Sequence, residues 1–147
     1  MRMTCKEFEA SFESSTISLA IIRDFIREVG RSACIDAHLL DDIELAVDEA
    51  CTNIIEHAYD GLPGQSIQLR VELDHGTLMV KLLDRGKAFT FDEHALPEQS
   101  QLSSFTPGGR GLFLMHALLD DVRFRRTGEG QNELCLVKTL NWESASS

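Results

Sequence analysis

Between Ile43 and Tyr59 the apolar residues Ile43, Val47, Ala50 and Ile54 recur every three or four positions, a spacing that a helix gathers onto one face. A helix with one apolar stripe has to bury it against another layer. Glu49 and Asn53 belong to the same stretch. Four residues apart, they stand about 40° from each other on the helical wheel, one turn above the other, at the margin of the stripe. A carboxylate and an amide oxygen stacked at the mouth of a core can supply a proton acceptor and a hard-metal ligand. Taken alone, the pair also fits an ordinary exposed helix charge and a tolerated polar residue.

The remaining chain supplies the other layer. Residues 5–13 alternate as an edge strand would, and Ser14, Ser15 or Thr16 can cap the helix that follows. That helix is expected to run to about Val29, with Ile17, Ile21, Phe25 and Val29 on its stripe, widened by Ile22 and Ile26, and with Gly30 as its stop. Asp36 or Asp41 opens the long helix, which is expected to end near Asp60 and Gly61. Two alternating strands, 66–73 and 77–84, are joined by Asp74-His75-Gly76 as a hairpin. From Thr90 to Gly109 the sequence is polar, aperiodic and broken by Pro97 and Pro107, the character of a lid or binding loop. A buried helix from Leu112 and two strands, 122–126 and 133–140, complete the chain, with a frayed tail at 142–147. The order predicts an α+β fold with helices on one face of a largely antiparallel sheet, in a single domain over 1–147.

Charge and cysteine usage narrow the function. The formal net charge of −10 argues against phosphate-backbone binding as the main task, so no nucleic acid is expected. No apolar run reaches the length of a membrane span, and the N-terminus lacks a secretion core; no membrane and a cytoplasmic setting are expected. Cys5, Cys34, Cys51 and Cys135 are scattered without metal-ligand spacing, in keeping with a reducing compartment.

Two glycine-bearing stretches add chemistry. Gly108-Gly109-Arg110-Gly111 stands where a loop becomes a helix. Glycine backbones let amides approach a ligand, and a helix N-terminus offers unpaired N–H groups to phosphate; a hinge at a helix entry is the plainer account. Asp84 ends an apolar strand two residues before Gly86, which leaves a ligand room against the backbone. Its carboxylate can accept a hydrogen bond from an exocyclic amine, or close an Asx-turn.

Together, Glu49-Ala50-Cys51-Thr52-Asn53, Asp84-Arg85-Gly86-Lys87-Ala88-Phe89 and Gly108-Gly109-Arg110-Gly111-Leu112 resemble the N, G1 and G2 boxes of the GHKL ATPase superfamily. Within it, the short chain, the pattern from Glu49 to Tyr59 and the run from Gly108 to Met115 are most similar to the RsbW-like anti-sigma-factor serine kinases of bacteria. The resemblance implies a two-layer α/β sandwich of the Bergerat type, with a mixed, largely antiparallel sheet. It implies ATP and Mg²⁺ as cofactors, Glu49 as the base toward a serine hydroxyl, and Asn53 as the metal ligand. Asp84 and Gly86 would take the adenine, and Gly108, Gly109, Arg110, Gly111 and Leu112 the phosphates, under a lid at about 90–109. Ala88 departs from the pattern, standing where many members carry a second G1 glycine.

The implied function is phosphorylation of a STAS-domain anti-sigma-factor antagonist on serine, in a partner-switching circuit. A sigma factor or other effector would be sequestered in the second binding mode, and a homodimer is the usual assembly. Two alternatives stand beside it. One is a nucleotide-gated binding module with little or no kinase activity, and the other a detached histidine-kinase ATP domain.

Overall fold

The computed structural model describes residues 6–87 and 109–140. Its elements follow in the order β1 (Lys6–Glu13), α1 (Thr16–Ser32), α2 (Ala37–Asn53), a π-helical turn (Ile54–Ala58), β2 (Ser66–Asp74), β3 (Thr77–Asp84), α3 (Gly109–Leu118), β4 (Asp121–Arg126) and β5 (Asn132–Thr139). The five strands form one sheet in the order β1-β2-β3-β5-β4, and all four pairings are antiparallel. Except for Gly109, the expected lid loop lies outside the described residues, as does the tail at 142–147.

Alternation decides which face of the sheet is covered. In β2, Ile67, Leu69, Val71 and Leu73 are buried while the residues between them are half-exposed, and β3 repeats the pattern with Leu78, Val80 and Leu82. These side chains meet Ile43, Val47, Ala50 and Ile54 of the long helix in a single core cluster with Ile22, Ile26 and Met115. The helices therefore lie on one face, as the sequence pattern predicts. The β2–β3 hairpin turns through His75 and Gly76, both at positive φ (49° and 79°), the geometry of a two-residue type I′ loop.

The first helix departs from expectation in two ways. Its buried stripe is Ser18, Ile22, Ile26 and Val29, whereas Ile17 is 77% exposed and Ile21 53%. The docked face is thus turned one residue away from the expected stripe. Nor does Gly30 stop the helix, which runs on to Ser32. Gly30 instead lets α1 lie close against α2, since a Cβ there would lie 2.6 Å from the methyl carbons of Leu40. The real stop is a Schellman turn: Ile35 N–H reaches the Gly30 carbonyl, Cys34 N–H reaches Arg31, and Cys34 itself takes φ 55°.

Helix α2 starts at Asp36, whose carboxylate accepts the His38 N–H at 2.9 Å. Eight acidic residues and no Lys or Arg occur from Asp36 to Asp60. Part of that charge is met from neighbouring elements, Arg27 pairing with Glu44 (2.9 Å), Lys87 with Asp60 (2.7 Å) and Arg23 approaching Asp48 (3.7 Å). The helix does not keep its α geometry to Asp60. At Ile54 it widens into a π turn, closed by the Tyr59 N–H on the Ile54 carbonyl at 3.0 Å.

Candidate functional site

The π turn brings the end of the long helix against the end of β3. The Ala58 carbonyl accepts the Lys87 N–H at 2.9 Å. The Tyr59 hydroxyl donates to the Ser66 carbonyl (2.6 Å) and accepts the Arg85 N–H (2.8 Å). Gly86 passes so close that a Cβ would stand 2.3 Å from the Ala58 oxygen. Glycine at 86 is thus required by the protein's own packing, and the space a side chain would need there is filled by Ala58.

Above this junction opens a cleft, partly continuous with solvent, lined by Ala50, Asn53, Ile54, Ala58, Asp84, Met115, Phe124 and Leu134. Six of these eight side chains are apolar and come from the helical layer and from β4 and β5. The two polar ones are Asn53, on the last turn of α2, and Asp84, at the end of β3. The lining is thus apolar with two polar groups at fixed places, the character of a small-molecule site.

Asp84 is only 5% exposed. Its Oδ1 accepts the Gly86 N–H at 2.9 Å and the Asn132 side-chain amide at 2.7 Å. The first bond is an Asx-turn, so that reading of Asp84 holds together with its place on the wall of a cleft. Burial pushes the Asp84 carboxyl above the ordinary carboxylate value, and the bonds from Asn132 and Gly86 and the charge of Arg126 pull the other way.

Glu49 lies one turn before Asn53 on α2, and both are half-buried. Gly109, Arg110, Gly111 and Leu112 form the first turn of α3, whose next turn sends Met115 into the cleft. Gly108 and Ala88 lie outside the described residues. Helix α2, the end of β3 and α3 therefore border one cleft, although 55 positions separate Asn53 from Gly108 at the start of the expected glycine turn, and Asn53, Asp84 and Met115 line it together.

Two residues of this neighbourhood carry no motif in the sequence. Asn132 is 1% exposed and bonds to Asp84, and Arg126 donates to the Asn132 side-chain oxygen at 2.7 Å. They flank the Gly128/Gly130 turn of the β4–β5 hairpin, and counting outward from that turn is the one signal that could have paired them.

Comparison with known proteins places the chain in a family. The model of the histidine kinase-like ATPase domain family matches residues 12–138. The chain belongs to that family. Among similar histidine kinase-like ATPases, the serine-protein kinase RsbW of Bacillus subtilis is 36% identical over 113 residues, covering 71% of this chain and 67% of that protein. The serine-protein kinase RsbW of Bacillus velezensis is 34% identical over 113 residues, with the same shares. Among solved structures, the RsbU and RsbW domains of Rv1364c from Mycobacterium tuberculosis share the fold with a TM-score of 0.65 at 19% identity, over 92% of this chain. This chain spans about a third, 32%, of that longer one. The Acinetobacter baumannii histidine kinase AdeS follows at a TM-score of 0.53 and 10% identity, over 96% of this chain and 70% of that one.

Proposed function

We propose that this chain is an ATP-dependent protein serine kinase of a bacterial partner-switching system. The observation that carries the reading is the apolar cleft bearing a buried Asp84 on its wall, with Asn53 on the α2 side. An adenine ring would suit both halves of that cleft, with Ile54, Met115 and Leu134 available to its faces and the Asp84 carboxylate to its exocyclic amine. Kinship with the RsbW proteins of two Bacillus species supplies the reaction class.

Asn53 offers a neutral oxygen donor on the cleft wall, suited to a hard cation. Among the described residues there is no cluster of three or more His, Cys, Asp or Glu side chains that could hold a metal. Mg²⁺ at Asn53 would accordingly take its other ligands from phosphate and water, its common mode. When bound it would neutralise triphosphate charge. The first turn of α3, from Gly109 to Gly111, would offer N–H groups to the phosphates. Gly108, Arg110 and Leu112 would complete that cradle, under a lid drawn from about 90–109. Glu49 would accept the proton of an incoming serine hydroxyl as its oxygen attacks the γ-phosphorus, leaving ADP and phosphoserine.

On this reading residues 1–147 act as one ATP-binding domain in the cytoplasm, as a homodimer. The substrate is a STAS-domain antagonist, and a sigma factor or other effector is the protein held in the alternate mode. The competing account, a nucleotide-gated module with little or no transfer, rests on Ala88 and on the polar sequence of the expected lid. Labelled ATP, Mg²⁺ and the STAS-domain protein that co-purifies with the chain separate the two. Transfer of label to serine, lost in Glu49→Ala with ATP binding retained, is the expected result. Full ATP occupancy without transfer by the unmodified chain contradicts kinase activity.

A further inference from the structure

Asp84, Asn132 and Arg126 form a row across the sheet. Asp84 on β3 stands directly opposite Asn132 on β5, and Asn132 stands directly opposite Arg126 on β4. All three close the same end of their strands, next to the cleft. The side-chain bonds follow the row: Arg126 to Asn132 Oδ1 at 2.7 Å, and Asn132 Nδ2 to Asp84 Oδ1 at 2.7 Å.

The orientation of the Asn132 amide is fixed by its surroundings. Its nitrogen faces three oxygens, those of Asp84 (2.7 Å), Lys87 (3.1 Å) and Gly86 (3.3 Å). Its oxygen faces a guanidinium, and Arg126 also reaches the Gly86 carbonyl at 3.3 Å. Turning the amide over would set oxygen against three oxygens and nitrogen against a cation. With its donors committed in this way, Asn132 has none left for a ligand.

The effect falls on Asp84. Its Oδ1 takes both bonds, from Asn132 and from the Gly86 N–H. Oδ2 accepts no hydrogen bond among the described residues. The carboxylate is therefore held by one oxygen, with the other kept as a pure acceptor. The same Asn132 bonds to the carbonyls of Gly86 and Lys87 keep the 86–87 backbone close to that carboxylate. We propose that Asn132, held by Arg126, is a positioning residue that sets the base specificity of the site by presenting Asp84 to an amine donor on the bound purine. This rests on the reading of the cleft as an adenine pocket.

Inosine triphosphate is the discriminating probe, because it carries an oxo group where ATP carries the amine. Binding of each nucleotide with Mg²⁺ is measured by calorimetry on the full chain, with circular dichroism to confirm the fold. The unmodified chain prefers ATP by about tenfold or more, the cost of setting an oxo group against a carboxylate. In Asn132→Ala the affinity for ATP falls about tenfold while that for inosine triphosphate stays within about twofold, so the preference collapses. Arg126→Ala moves the ratio in the same direction and Arg126→Lys restores it. Because Arg126 is exposed, that pair decides the matter if Asn132→Ala does not fold. Equal weakening of both nucleotides, or an unchanged ratio, overturns the positioning role and leaves the adenine pocket standing. An unmodified chain with no preference for ATP overturns the pocket reading itself.

Discussion

Gly86 lies against the main-chain carbonyl of Ala58 so closely that a single added carbon would come within 2.3 Å of the oxygen and 2.6 Å of the carbonyl carbon. The obstacle is backbone, which cannot swing aside as a side-chain tip can. Gly86→Ala is therefore expected to cost about 2–4 kcal/mol, and chemical denaturation measures it. Nucleotide affinity should fall as well, because the displaced segment is the one that gives Asp84 its Gly86 N–H bond.

Gly30 makes a contrasting case. The atoms a Cβ would meet are the two terminal carbons of Leu40, the far end of a flexible side chain. Replacing this glycine, in the last turn of α1, by alanine gains at most about 1 kcal/mol of helix propensity, comparable to the cost of shifting one rotamer. Gly30→Ala should therefore change stability by less than about 1 kcal/mol in either direction, as read from a denaturation midpoint.

Tyr59→Phe removes only a hydroxyl, yet that hydroxyl joins two elements, taking the Arg85 N–H and giving to the Ser66 carbonyl. Both backbone groups would lose a partner beside a side chain that is 7% exposed. A loss of about 1–3 kcal/mol is expected. The thermal midpoint should drop by about 3 °C or more.

Asp84→Asn separates stability from binding. Burial raises the native carboxyl above its ordinary value, so Asp84 favours folding most when protonated. That contribution fades as pH rises from the ordinary carboxylate range through the raised native value. The asparagine variant should gain thermal stability relative to the parent over that window and keep the gain at neutral pH. It should also lose ATP. The oxygen of an asparagine at 84 would be taken by Asn132 and Gly86, leaving an NH₂ to face the amine of adenine. Melting curves at pH 4 and pH 7, beside calorimetry, read both effects.

Much of the architecture was legible because local pattern encodes it. Alternation marked β2 and β3, and the three-to-four spacing of Ile43, Val47, Ala50 and Ile54 marked the buried face of the long helix. The polar residues on the cleft were visible for a related reason, since Asn53 and Asp84 sit beside apolar patterns they interrupt. The buried face of α1 is ambiguous in the sequence because Ile17 and Ile21 match a helical stripe as well as Ile22 and Ile26 do. Only docking against α2 and the sheet chooses between them. The row of Asp84, Asn132 and Arg126 was hidden because it depends on register across three strands, which no stretch of sequence states. The π turn at Ile54 was likewise hidden, being stabilised by Lys87 and Arg85 from nearly thirty residues away.

The account as a whole turns on where a nucleotide lies. A crystal structure of the full chain grown with Mg²⁺ and a non-hydrolysable ATP analogue tests it most directly. The account predicts the exocyclic amine of adenine within hydrogen-bond distance of Asp84 Oδ2, the metal on the Asn53 oxygen, and the phosphates against the first turn of α3. A nucleotide bound elsewhere, or an adenine in the cleft with its amine turned away from Asp84, would contradict it.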